Sequence, residues 1–247
     1  MRMLGIVPLA VVVLSGGFHE LGRAHAAPAS AAAPAAVPAP PPTGGWSGRI
    51  DDPDAVADLL TYNQGGSVGF SIPVEGAILR SKGIITRWEL PIPVYVDPSV
   101  DVDCVEEAIA YWQSVTGLPF VLLDANADPR LTVRAAGSSE LHVAAGLGLV
   151  YRTFPTNRAR LAVVKILARN AHCSSPSVLY RHELGHAIGI FGHPPGGLMS
   201  APMVGTTATR REINMLVQLY RLPHGARIEA DGRWSVVQSG SSPPEGP

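Results

Sequence analysis

Charge of one sign is in short supply in this sequence. Nineteen Lys and Arg stand against 20 Asp and Glu, leaving a formal net charge of −1. Such a balance exerts no global pull on nucleic acid or on an anionic membrane. No basic cluster or basic–aromatic stripe stands out either, so nucleic acid is not an expected partner. Long hydrophobic runs are missing too. The apolar run from Leu4 to Leu14 falls well short of the roughly 20 residues a spanning helix needs. Cysteine is scarce: there are two, and none precedes Cys104, so no cysteine lies near the N-terminus to accept a lipid. No internal repeat is visible. What is present is 247 residues, 46% of them hydrophobic and 16% charged, enough to bury one substantial core.

Taken in order, the chain begins like a secretory signal. Met1-Arg2-Met3 gives a positive start, the apolar run follows, and Ala24-His25-Ala26 offers the small-x-small pattern of a cleavage site. Residues 1–26 are therefore expected to be a signal peptide cut after Ala26, making the protein secreted, with no stable membrane association afterwards. Residues 27–45 are almost entirely Ala and Pro and read as an extended linker. Residues 46–83 read as a removable propeptide or an N-terminal extension, with a short helix around Val56 to Leu60 and glycines at 65, 66 and 69. A catalytic domain is expected over 84–223, followed by a flexible tail over 224–247, where the chain turns polar and rich in Gly, Ser and Pro.

Within 84–223 the alternation of Ile92, Val94 and Val96 predicts a strand, with Pro93 suggesting an edge or entry position. Asp103-x-x-Glu106 is a capping-box pattern, followed by Val105, Ala108, Ile109 and Trp112 at helical spacing and a stop at Gly117-Leu118-Pro119. Phe120 to Leu123, Leu131 to Arg134, Leu147 to Phe154 and Leu161 to Ile166 predict four more strands, the last two joined through Pro155-Thr156-Asn157. A helix capped by Ser175 with Pro176 in its first turn comes next. A last helix starts from the box Thr209-x-x-Glu212, carries the stripe Ile213, Leu216, Val217 and Tyr220, and closes at Pro223.

The helix after Pro176 carries the chemistry. In His182-Glu183-Leu184-Gly185-His186, the two histidines are four residues apart and share a helix face, so both can ligate one ion. Glu183 stands beside the first, where its carboxylate can take a proton from water at an open position of the ion without being a ligand. Alone, the pattern also fits an ordinary helix with two surface histidines. Three further features extend it. Gly189 permits a left-handed helix end. His193 follows the turn and can return a third imidazole. Gly197-Leu198-Met199-Ser200-Ala201-Pro202 forms a short apolar turn around Met199.

These residues resemble the metzincin clan of zinc endopeptidases, whose signature is HExxHxxGxxH followed by a Met-turn. The wording HELGHAIG and LMSAP is most similar to the bacterial secreted matrixin-like proteases. In the family the third histidine comes three residues after the glycine; here residue 192 is Gly and the histidine is one place later. Other candidates for a third ligand are His172, His142 and Glu212, although Glu212 reads as a helix cap. The resemblance implies an α+β, metzincin-like zincin fold: a twisted mixed sheet with a backing helix, an active-site helix and a C-terminal helix, with a cleft between upper and lower subdomains. It also implies one catalytic Zn²⁺ on His182, His186 and His193, Glu183 as general base, Met199 as an apolar floor, and a protein or peptide substrate taken by a monomer. The matrixin propeptide cysteine is absent. Structural calcium is not supported, because residues 147–170, where the family's loops bind it, contain no Asp, Glu or His. The alternatives are a secreted zinc-binding scaffold and a zinc hydrolase acting on something other than protein.

Export would place Cys104 and Cys173 in an oxidising compartment, and a disulfide between them is expected. It would close a loop of roughly seventy residues and contribute about 4 kcal/mol in the chain-entropy picture. Cys173 as a zinc ligand or redox sensor is the rival reading.

Overall fold

The structure, a computed structural model, describes residues 47–63, 84–125, 127, 130–141, 146–153, 158–172 and 177–236. The expected signal peptide and linker, the glycines at 65, 66 and 69, His142, the 155–157 connection, Cys173, Ser175 and Pro176 lie outside these residues.

The elements are β1 (Ser47–Arg49), α1 (Pro53–Asp58) continued by a π turn Leu59–Asn63, β2 (Ile92–Val96), α2 (Val102–Thr116), β3 (Phe120–Leu122) and β4 (Arg130–Ala136). The short α3 (Ser138–Leu141), β5 (Gly146–Thr153), β6 (Arg158–Leu167) and a 3₁₀ turn Ala168–Asn170 follow. Last come α4 (Val178–Ile188), α5 (Arg210–Arg221), β7 (Ala226–Ile228) and β8 (Arg233–Val236). The chain is mixed α/β. One sheet has five strands in the order β3-β2-β4-β6-β5, the other three in the order β1-β8-β7.

In the larger sheet β3, β2, β4 and β6 run parallel and only β5 is antiparallel, against β6. Parallel neighbours need a crossover, and α2 supplies it between β2 and β3. Its face Val105, Ala108, Ile109 and Trp112 is buried, as are Ile92 and Val94 of β2, Leu131 and Val133 of β4, and Ala162, Val164 and Ile166 of β6. Burial of Ile109 or another large apolar side chain of this kind contributes about 1.5–3 kcal/mol. Gly117 ends α2 at φ 74°. The start of α2 differs from the reading above: Asp101, not Asp103, is the N-cap, accepting from Asp103 N at 3.1 Å. Pro93 sits in an inner strand, at its entry and not at an edge of the sheet. Pairing with β4 begins only at Val94, one residue past the proline, so its missing N–H removes no bond from that ladder.

The expected tail contains a hairpin: β7 and β8 pair antiparallel across a turn in which Gly232 has φ 84°. Residues 47–63 pack onto the rest of the folded unit, as an N-terminal extension would. β1 pairs with β8, with Gly48 lying against Trp234 so closely that a β-carbon there would sit 2.6 Å from the indole. Asp52 caps α1, accepting from Asp54 N and Ala55 N, and Pro53 opens the helix. The same Asp52 accepts from Asn214 Nδ2 at 2.6 Å, and the buried Asp58 carboxylate accepts from Arg211 Nε and Nη2, both at 2.6 Å. These contacts fasten α1 to α5. The physical reason is that short strands and a six-residue helix gain little from their own sequence and are stable only against a partner.

Cys104 is buried, and no cysteine among the described residues is a free thiol. No helix among them is long and apolar enough to cross a membrane.

Candidate metal centre

The helix α4 begins at Val178 with Ser177 as its cap residue, later than Ser175 and Pro176 suggested. The hydroxyl of Ser177 makes no capping bond. Its backbone N–H instead donates to Glu107 Oε2 on α2 at 2.7 Å, so a carboxylate from another helix satisfies an orphan donor and sits at the positive helix end. Glu107 also binds Arg181, whose guanidinium lies 4.4 Å over the Tyr111 ring, and Tyr111 Oη accepts from Ala208 N. Thus α2 holds both the start of α4 and the segment that follows the Met-turn.

At the other end of α4 the last carbonyls are buried, and each finds a donor. Gly185 O accepts from Ile190 N, Ala187 O from Trp88 Nε1 and Ile188 O from Tyr220 Oη, at 3.0, 2.8 and 2.9 Å. Gly189 stands at φ 136°, a left-handed conformation that disfavours any side chain. The expected turn glycine is therefore where the chain reverses.

That reversal brings His182, His186 and His193 together. Their ring centroids are 4.8–5.4 Å apart, and one donor atom from each lies within 4.8 Å of the others. The one-residue displacement of His193 does not keep it from the cluster. His182 and His186 are buried and His193 is exposed. His182 Nδ1 faces Leu198 O and His186 Nδ1 faces Ile190 O, each at 2.6 Å. A carbonyl can only accept, so both Nδ1 atoms carry the proton and both Nε2 atoms present lone pairs. Those two Nε2 atoms are 3.2 Å apart. Two nitrogens bound tetrahedrally to one zinc at 2.0–2.1 Å would lie about 3.3 Å apart. Facing lone pairs repel unless a cation sits between them, and the donor set therefore fits a divalent ion that accepts imidazole.

Protonation could also relieve that repulsion, but burial opposes it. Desolvation pushes the His186 pKa down to about 3, against a partial offset from its bond to the Ile190 carbonyl. Desolvation likewise lowers His182, offset by the Leu198 carbonyl, and lowers His193, which the neighbouring His182 depresses further. Neutral imidazole is the ligand form.

Glu183, one residue after the first histidine, is buried at 5% exposure. Met199 is fully buried and packs against α4 at Gly185, where a β-carbon would come within 2.3 Å of the sulfur. Gly185 is thus a close-packing position beneath the histidines, and nothing local in the helix sequence marks it. Glu212 is buried and committed elsewhere. It accepts from Thr209 N in the capping box and from Met199 N at 2.9 Å, which ties the start of α5 to the Met-turn. His172 is exposed and is not part of the cluster, and Gly189 serves as a backbone hinge only.

Comparison with protein-family models finds no match, and comparison with the curated proteins finds no significantly similar sequence.

Proposed function

We propose that this chain is a secreted zinc-dependent endopeptidase of the metzincin type, similar to the bacterial matrixin-like proteases. The observation that carries this reading is the pair of buried, mutually facing Nε2 atoms of His182 and His186, joined by His193, with a buried carboxylate next to them in sequence. When bound, zinc supplies Lewis acidity, which acidifies water and polarises a carbonyl. The chain's own residues do the rest. His182, His186 and His193 hold the ion through Nε2 or its equivalent, and the Leu198 and Ile190 carbonyls fix the first two rings in the metal-accepting tautomer. Glu183 takes the proton from the attacking water and delivers it to the leaving amine. Met199 packs the Met-turn against α4, and the Glu212 carboxylate ties it to α5. On this reading the five-stranded sheet with α2 behind it forms the upper part of a zincin domain, and export proceeds through the N-terminal signal with protein or peptide as substrate.

Zinc content and casein cleavage by the full chain test it, beside Glu183→Ala and His193→Ala. The wild type should hold one zinc per chain and cleave. Glu183→Ala should keep its zinc and lose about 10²–10⁴-fold in rate, the usual worth of a general base. Undiminished cleavage by Glu183→Ala would refute the assignment. A metallated wild type without hydrolytic activity, even after N-terminal processing, would favour the scaffold reading.

A further inference from the structure

We infer that Asn63, on the segment whose sequence reads as a removable propeptide or an N-terminal extension, is a positioning residue of the metal centre. The inference rests on the metal-binding part of the reading above and not on peptidase activity. Asn63 is fully buried. Its Nδ2 donates to Gly189 O at 2.9 Å and to Thr86 O at 2.8 Å, and its Oδ1 accepts from Thr86 N at 2.7 Å. The preceding residue adds a backbone contact: Phe191 N donates to Tyr62 O at 2.6 Å. Residues 62 and 63 therefore grip the turn on both sides of Ile190.

That turn does two things for the site. The Ile190 carbonyl accepts from His186 Nδ1 and so selects its tautomer. Two residues past Phe191 the chain presents His193. The clamp is close-fitting: a β-carbon on Gly189 would meet Asn63 Nδ2 at 3.3 Å and Leu219 at 2.5 Å. A buried amide that satisfies three backbone groups from two distant segments costs little to keep and much to lose, because its removal takes a hydrogen bond from each of them. The N-terminal arm is anchored independently of the turn, through the Asp58–Arg211 and Asp52–Asn214 contacts and the β1–β8 pairing. Through their direct bonds to Gly189 O and Phe191 N, residues 62 and 63 fix the path from the second histidine to the third. A maturation product that begins at Ile84 would lack this grip.

Cobalt substitution and zinc competition on the full chain test the inference, comparing wild type with Asn63→Ala, Asn63→Ser and Arg211→Ala. Serine keeps one short hydrogen-bonding group but cannot span both partners, which guards against simple failure of the alanine variant to fold. Both Asn63 variants should bind zinc more weakly, by up to about 10-fold, the lower end of what losing a ligand's own hydrogen-bond partner costs. Their cobalt d–d absorption should shift from the wild-type pattern as His193 and His186 lose their fixed geometry. Arg211→Ala loosens the same arm away from the turn and should keep the wild-type spectrum despite lower stability. Wild-type spectrum and zinc affinity in a folded Asn63 variant would overturn the inference. Equal changes in Arg211→Ala would do so too, since they would reduce the effect to global stability. A wild type that takes up neither cobalt nor zinc would overturn the metal centre itself, and that outcome is distinct from the others.

Discussion

Gly185 shows how one atom can decide a site. An alanine would normally favour a helix interior by about 1 kcal/mol over glycine. Here the added carbon would lie 2.3 Å from Met199 Sδ and 2.9 Å from the rigid Trp112 ring, both fully buried. Overpacking of this kind costs about 1–3 kcal/mol, so Gly185→Ala should lower the thermal midpoint, and a second change Met199→Ala should recover part of the loss. An alanine variant as stable as wild type would mean that the thioether withdraws freely. The histidine spacing in the motif was legible because a helix fixes which side chains share a face. Gly185 and Asn63 were not, since what each of them touches comes from sequence 14 or more positions away and no local pattern encodes it.

Elements were legible where local chemistry is self-contained. The Thr209–Glu212 capping box forms as expected, both bonds present, and the β5–β6 pair runs antiparallel as the short connection required. Elsewhere neighbours shifted the outcome. In α5 the buried apolar residues are Met215, Leu216, Leu219 and Tyr220, while Ile213 and Val217 are half-buried and line a groove with Asp52, Asp54 and Asp58. The buried stripe is thus rotated toward Met215 and Leu219, away from the groove beside α1. The β7–β8 hairpin lies where composition predicts a tail, although Asp231-Gly232 is a recognised turn signal; strands of three and four residues are too short for alternation to register. At this scale the Asp58–Arg211 pair is the test. Asp58 is 3% exposed and Arg211 51%, so Arg211→Ala leaves a buried carboxylate without two of its donors. A loss of about 1–3 kcal/mol is expected, read as a lower urea midpoint, and an unchanged midpoint would mean that α1 is held by apolar contacts alone.

For the whole molecule, the buried histidines couple stability to pH when no metal is bound. Folded His186 has its pKa pushed down to about 3 by desolvation, whereas in the unfolded chain it titrates near about 6.5. Between those values the unfolded state binds more protons, so this contribution is complete above about pH 6.5 and is lost as pH falls toward 3. His182 and His193 shift in the same direction. Urea midpoints in a chelator should therefore fall between pH 7.5 and pH 5, more steeply than in His186→Gln; equal slopes would show that His186 is not the coupled group. The sequence by itself determined the ligand-bearing helix, its neighbouring carboxylate, the methionine turn and most of the strands, because each depends on spacings within a few residues. Only the tertiary structure decided that His193 joins the other two despite its displacement, that the carbonyls of Leu198 and Ile190 set the tautomers, and that residues 47–63 belong to the folded unit. Those outcomes depend on a chain reversal and on contacts between segments far apart in sequence, and such contacts exist only once the core has brought those segments together.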